Sequence, residues 1–113
     1  MKDSIMIINV AKDFSRYPAG RYLSDGPYTG QRFLEDKLLP ALEQFEQVKI
    51  ILDGTLGYGS SFLEEAFGGL IRLKKWSLSE LLSRIIFVSQ TDPNLIPEIK
   101  LYMQDAADRL LHV

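Results

Sequence analysis

Cysteine is absent from the 113-residue chain, which excludes disulfides and thiolate chemistry. Histidine occurs once, at the next-to-last position, His112. With no cysteine and one terminal histidine, neither a transition-metal centre nor a Ser-His-Asp relay is expected. Nor does one sign of charge dominate. Thirteen Lys and Arg stand against fifteen Asp and Glu, so no basic field draws nucleic acid, and nucleic acid is not an expected partner. No apolar run approaches the roughly 20 residues of a membrane span. The one near the start, Ile5 to Val10, is too short for a signal-peptide core and has no small-residue cleavage site after it. A cytoplasmic protein without membrane contact is therefore expected. Repeats, linkers and low-complexity stretches are also missing.

What is present is ordinary globular composition, 46% hydrophobic and 25% charged. A chain of this length is one domain, 1–113, which buries roughly 65% of its unfolded surface without staples. Ile5–Val10, Val48–Asp53 and Ile85–Ser89 are short, nearly continuous apolar runs rich in β-branched residues. They read as strands buried on both faces. Helical patterns separate them. The expected fold is a compact α/β layer, a central mixed sheet of about four strands with helices packed against it.

The stretch from Ala11 to Thr29 holds Pro18, Gly20, Asp25-Gly26-Pro27 and three tyrosines. It reads as a long loop, of a kind that is often functional, with room for a short strand at Arg21–Leu23. Thr29 caps a helix to about Phe45, which Pro40 is expected to kink or split. Ser61 to Lys74 reads as a second helix with Gly68-Gly69 in its middle, and close approach of another backbone would explain that pair. Ser77-Leu78-Ser79-Glu80 is a capping box before the third strand, and Leu95 to Leu111 is the last helix.

The segment with most chemical content joins the second strand to the second helix: Asp53-Gly54-Thr55-Leu56-Gly57-Tyr58-Gly59-Ser60-Ser61. Open α/β sheets bind ligands at the carboxyl ends of their strands, and glycines there turn the backbone tightly and aim N–H groups outward. The enzymatic signatures nearly fit and then fail. Ser60 stands where a P-loop needs Lys. Phe62 stands where the dinucleotide fingerprint needs its third glycine, and Gly-x-Ser-x-Gly is missing. No catalytic residues and no cofactor are expected. Ser60 or Ser61 suits an N-cap, and either could accept a phosphate, which a helix N-terminus tolerates. Arg21 and Arg32, near the tyrosine-rich loop, are candidates to meet an anionic group. Glu64 and Glu65 read as a solvated helix face.

The strand ending in Asp53, the loop after it and the segment Ser60-Ser61-Phe62-Leu63-Glu64-Glu65-Ala66-Phe67-Gly68-Gly69-Leu70 resemble STAS-like domains of bacterial and phage proteins. Gly20-Arg21 and Gly30-Gln31-Arg32-Phe33 look like that family's first half, so the similarity covers about Ile5 to Leu73. Such domains are distant relatives of anti-sigma-factor antagonists. In those relatives a kinase phosphorylates the serine after an Asp at this helix start, and the phosphate breaks the complex. Here that serine is Ser60, with Gly59 in place of the Asp and Phe62 in place of the following Gly. The resemblance implies a signalling module that binds a protein partner, such as a kinase-like regulator. The binding surface would include Asp53, Gly54, Gly57, Tyr58, Gly59 and Phe62, with Ser60 or Ser61 as phospho-acceptor. The alternative is a small-anion or nucleotide sensor on the same loop. An exposed apolar loop and helix start would also allow a homodimer.

Overall fold

β-branched runs form three strands, β1 (Asp3–Asn9), β2 (Phe45–Ile51) and β3 (Ile85–Val88), in the computed structural model, which describes residues 3–112. They pair in the order β1-β2-β3, and both pairings are parallel. Met6 lies beside Val48 and Val48 beside Ile85; Ile7 lies beside Lys49 and Lys49 beside Ile86. The described sheet thus has three strands and is wholly parallel, where a mixed sheet of about four was expected. Arg21–Leu23 makes no strand. Leu23–Asp25 is a single tight turn, and the Asp25 carboxylate accepts the backbone N–H of Arg21 and of Tyr22. That local bonding supplants a ladder.

A parallel pair needs a long crossover, and both crossovers here are helical. The first is a helix over 30–44, and the second combines a helix over 60–72 with helix Leu78–Arg84. Thr29 caps the first, its hydroxyl accepting the Arg32 N–H at 3.3 Å, and Ser77 caps Leu78–Arg84 by accepting from Glu80 at 3.1 Å. Pro40 neither ends nor splits helix 30–44. The turn Leu34–Leu38 just before it is widened, with the Leu39 N–H bonded back to Leu34, and the helix runs on through the proline. Helix 60–72 carries the same widened turn over Glu64–Gly68 without any proline. The two widened turns pack on each other, and helix Leu95–Leu111 packs across helix 60–72.

Among the described residues the buried side chains of the sheet lie on one face, where the helices pack. Ile8, Val48, Ile50 and Ile85 lie under them, with Phe33, Leu38, Leu42, Phe62, Phe67, Leu70, Leu81, Ile99 and Met103 completing the core. The other face is bare: Ile5, Ile7 and Ile86 are exposed there, with Lys49 between Ile7 and Ile86. The expectation that the three strands are buried on both faces fails for this reason. Strands added in one direction place their crossovers on the same side, and a continuous apolar run does not reveal that.

The Gly68-Gly69 pair has a different use from the one expected. A Cβ on Gly68 would collide with the Glu64–Arg72 ion pair, and one on Gly69 with the Leu34 side chain. The close backbone approach occurs at Gly30, where a Cβ would be driven onto the carbonyl oxygen of Phe62 and lie 3.2 Å from the Ala66 nitrogen.

Candidate functional site

The strands point their carboxyl ends the same way. Three connections therefore gather at one end of the sheet: the turn Val10–Phe14, the glycine-rich loop from Asp53 to Gly59, and residues 89–92. Asp53 joins the second to the third. Its carboxylate accepts the Gln90 N–H at 2.9 Å, the Thr91 N–H at 2.8 Å and the Thr91 hydroxyl at 2.8 Å. The Thr91 and Gln90 amides, with that hydroxyl, hold the Asp53 pKa below its ordinary value. Three of these bonds converge on Oδ1, so Asp53 shapes the site by tying the glycine-rich loop to residues 90 and 91.

The same bonds predict a pH dependence. A carboxylate with a depressed folded-state pKa stabilises the fold above its unfolded value, and the gain is lost as pH falls through the folded one. Asp53→Asn is expected to lower stability by about 1 kcal/mol near neutral pH, the charged hydrogen bonds being discounted for exposure. Urea midpoints of the two chains should converge in acid. Equal midpoints at neutral pH would contradict a stabilising role.

Gly54 and Gly57 adopt φ of +97° and +131°, a region that side chains strain. Between them the loop is pinned twice, by the Leu56 N–H donating to the Arg16 carbonyl at 2.9 Å and by the Gly57 N–H donating to the Thr55 hydroxyl. The Leu56 side chain is left 71% exposed. Tyr58 folds back, half-buried, and its hydroxyl donates to the Leu52 carbonyl at 2.8 Å. Burial pushes its pKa up to about 12.

Gly59 is the N-cap of helix 60–72, so neither serine takes the capping role that their sequence position suggested. Ser60 and Ser61 stand in the first turn, both exposed. Among the described residues neither hydroxyl has a hydrogen-bond partner within the chain. Phe62 points the other way and is fully buried. Its ring sits 5.8 Å from Phe33, 5.9 Å from Tyr58 and 6.1 Å from Phe14. It therefore offers no surface to a partner.

The two arginines do not converge on the loop as free cations. Arg21 pairs with Glu64, and its Nη1 lies 3.3 Å from Glu65. Arg72 joins them, 2.7 Å from Glu64 and 3.3 Å from Glu65. Burial raises the Glu64 pKa, but the pairs with Arg72 and Arg21 outweigh it and the net shift is downward. Arg32 reaches Asp36 at 3.8 Å, and its Nε is buried with no hydrogen-bond partner among the described residues. The four-residue cluster of Arg21, Glu64, Glu65 and Arg72 borders a polar cleft of about 550 Å³, with Tyr102 and Arg109 opposite. Glu64 and Glu65 are thus paired in the cluster and do not form the solvated helix face expected of them. The signal available was the spacing Glu64-Gly68-Arg72, which stacks acid, gap and base on one helical face. No group of three His, Cys, Asp or Glu able to hold a metal occurs among the described residues.

A family model described as a STAS-like domain of unknown function (DUF4325) matches residues 29–95. The match runs from the Thr29 cap to the first residue of helix Leu95–Leu111, so it takes in the glycine-rich loop and leaves out β1. No curated protein and no solved structure matches the chain.

Proposed function

The chain belongs to the family of STAS-like domains of unknown function (DUF4325), and on that premise we propose that it is a regulatory module. It binds a protein partner through the loop Asp53–Gly59 and the start of helix 60–72, with Ser60 or Ser61 as the switch. The observation that carries this reading is the pair of exposed serine hydroxyls in the first turn, which have no partner among the described residues, in a segment whose preceding loop leaves Leu56 71% exposed.

The physical logic is simple. A phosphate at a helix N-terminus meets the positive end of the dipole, so the fold accommodates it. A partner packed over Leu56 would face a new dianion and its hydration shell, so the complex weakens while the domain stays folded. Asp53, Tyr58, Gly54 and Gly57 serve this surface by setting the loop's shape.

The test is an affinity capture of the tagged chain from its native host, with mass spectrometry of bait and partners. A stoichiometric partner is expected. Leu56→Asp or Ser60→Asp should weaken its binding at least about tenfold, equivalent to about 1.4 kcal/mol, while Ser60→Ala binds normally. All three variants should melt within a few degrees of the parent. Affinity unchanged in both acidic variants would remove this surface from consideration. A thermal shift with one member of a nucleotide panel would favour the small-anion reading, against which the engagement of Arg21 by Glu64 and Glu65 weighs.

A further inference from the structure

Among the described residues β1 is an edge strand of seven residues, and no other strand pairs with its outer side. Peptide groups of alternate residues in a strand face the same side. The Asn9 N–H donates to the Asp13 carboxylate at 2.7 Å instead of to β2. It follows that the N–H groups of Ile5 and Ile7 face the same outer edge, away from β2. Edge strands are normally blunted by Lys, Pro, a bulge or very short length. The other edge, β3, is only four residues long. In β1 the span Ser4–Ile8 has no charge and no proline, and Ile5, Met6 and Ile7 are 39%, 38% and 52% exposed. Beside this edge, between β1 and helix 30–44, runs a groove of about 450 Å³ whose lining includes Met6, Ile8, Pro40 and Phe45 together with the charged Asp13, Asp36 and Lys37. Side chains of an added strand would enter it.

We propose that this edge binds a second copy of the chain: two β1 strands pair antiparallel about a two-fold axis through Met6, and two three-stranded sheets become one of six. A two-fold contact must be complementary to itself, and the exposed triplet Ile5-Met6-Ile7 reads the same in both directions. In this register Ile5 faces Ile7 of the copy and Ile7 faces Ile5. The outward N–H groups of Ile5 and Ile7 are satisfied in each chain, and Met6 meets Met6 as a non-hydrogen-bonded pair. Asp13 closes the edge at Asn9, so a register centred on Ile7, which would set Ile5 against Asn9, loses a donor next to its centre, whereas the Met6 register meets Asn9 only at the strand ends, opposite Asp3. Stacking the two bare sheet faces is the poorer self-contact. Lys49 stands between Ile7 and Ile86 on that face, and a two-fold axis there would set lysine against lysine. This proposal does not rest on the Ser60 switch.

The chain contains no cysteine, so a single introduced one reports unambiguously. Paired Cα atoms at a non-hydrogen-bonded position lie about 4.5 Å apart, within disulfide range. Met6→Cys is expected to give a covalent dimer under mild oxidation, and Ile86→Cys, on the other edge, is not. In sedimentation velocity the parent should be dimeric. Ile7→Pro removes an outward N–H while leaving the β1–β2 ladder intact, and it should raise the dimer dissociation constant at least about tenfold. Should that variant not fold, Ile5→Lys places a gatekeeper charge on the same edge and is expected to do the same. A monomeric parent overturns the proposal, as does a dimer that Ile5→Lys leaves intact or cross-linking through Ile86→Cys instead of Met6→Cys.

Discussion

Gly30→Ala is expected to destabilise the protein by about 2 kcal/mol, although a glycine-to-alanine change in a first helical turn ordinarily helps. The ordinary gain comes from the unfolded chain and is about 0.4–1 kcal/mol. Here a larger loss opposes it. The new methyl group would overlap the Phe62 carbonyl oxygen and crowd the Ala66 nitrogen at 3.2 Å. Both are backbone atoms inside a helix, so no side chain can swing aside. Relief requires moving helix 30–44 off helix 60–72, and overpacking of this kind costs about 1–3 kcal/mol, occasionally more. At about 4 °C per kcal/mol for a domain of this size, the melting temperature should fall by about 8 °C. Gly59→Ala is the control. No atom lies within 4 Å of a Cβ there and its φ is −70°, so a change within about 0.5 kcal/mol is expected. A Gly30→Ala chain as stable as the parent would mean that the two helices do not approach through that residue.

The contrast between Gly30 and the Gly68-Gly69 pair shows where sequence reading stops. A glycine pair inside a helix is conspicuous locally, and a close backbone is the expectation it raises. The contact itself is between residues 32 positions apart, and the glycine that makes it sits inconspicuously after a cap. Strands, helices and the caps at Thr29 and Ser77 were legible because their causes are local: apolar period, β-branching and hydroxyls before apolar runs. The loop's partners were not. Asp53 is satisfied by Gln90 and Thr91, and Arg21 by Glu64 and Glu65, pairings that only the assembled layers create. The bare face of the sheet was hidden for a related reason. Ile5 to Val10 has the composition of a doubly covered strand, and strand order decided that one cover is missing.

Ser60, Ser61 and Phe62 illustrate both sides of this in three consecutive residues, and Phe62→Ala separates them. The helix turns about 100° per residue, so the serines face water while Phe62 enters the core. Removing its ring leaves a cavity between Phe14, Phe33 and Tyr58. These rings are held by different elements and cannot all close inward, so a loss of about 3–5 kcal/mol is expected. Domains of this size have about 5–15 kcal/mol in total, which places the variant near the limit of folding. Phe62→Leu, which keeps most of the volume, should lose much less. Chemical denaturation followed by near-ultraviolet dichroism reads both, because the aromatic cluster itself gives the signal. The consequence for function is specific. Any partner lost on Phe62→Ala is lost with the fold, and that result says nothing about the binding surface. A partner lost on Leu56→Asp or Ser60→Asp, in a chain that still melts like the parent, is lost at the surface. A Phe62→Ala chain with parental stability would mean that the ring is not packed in the core, and Phe62 would then return to the candidate surface.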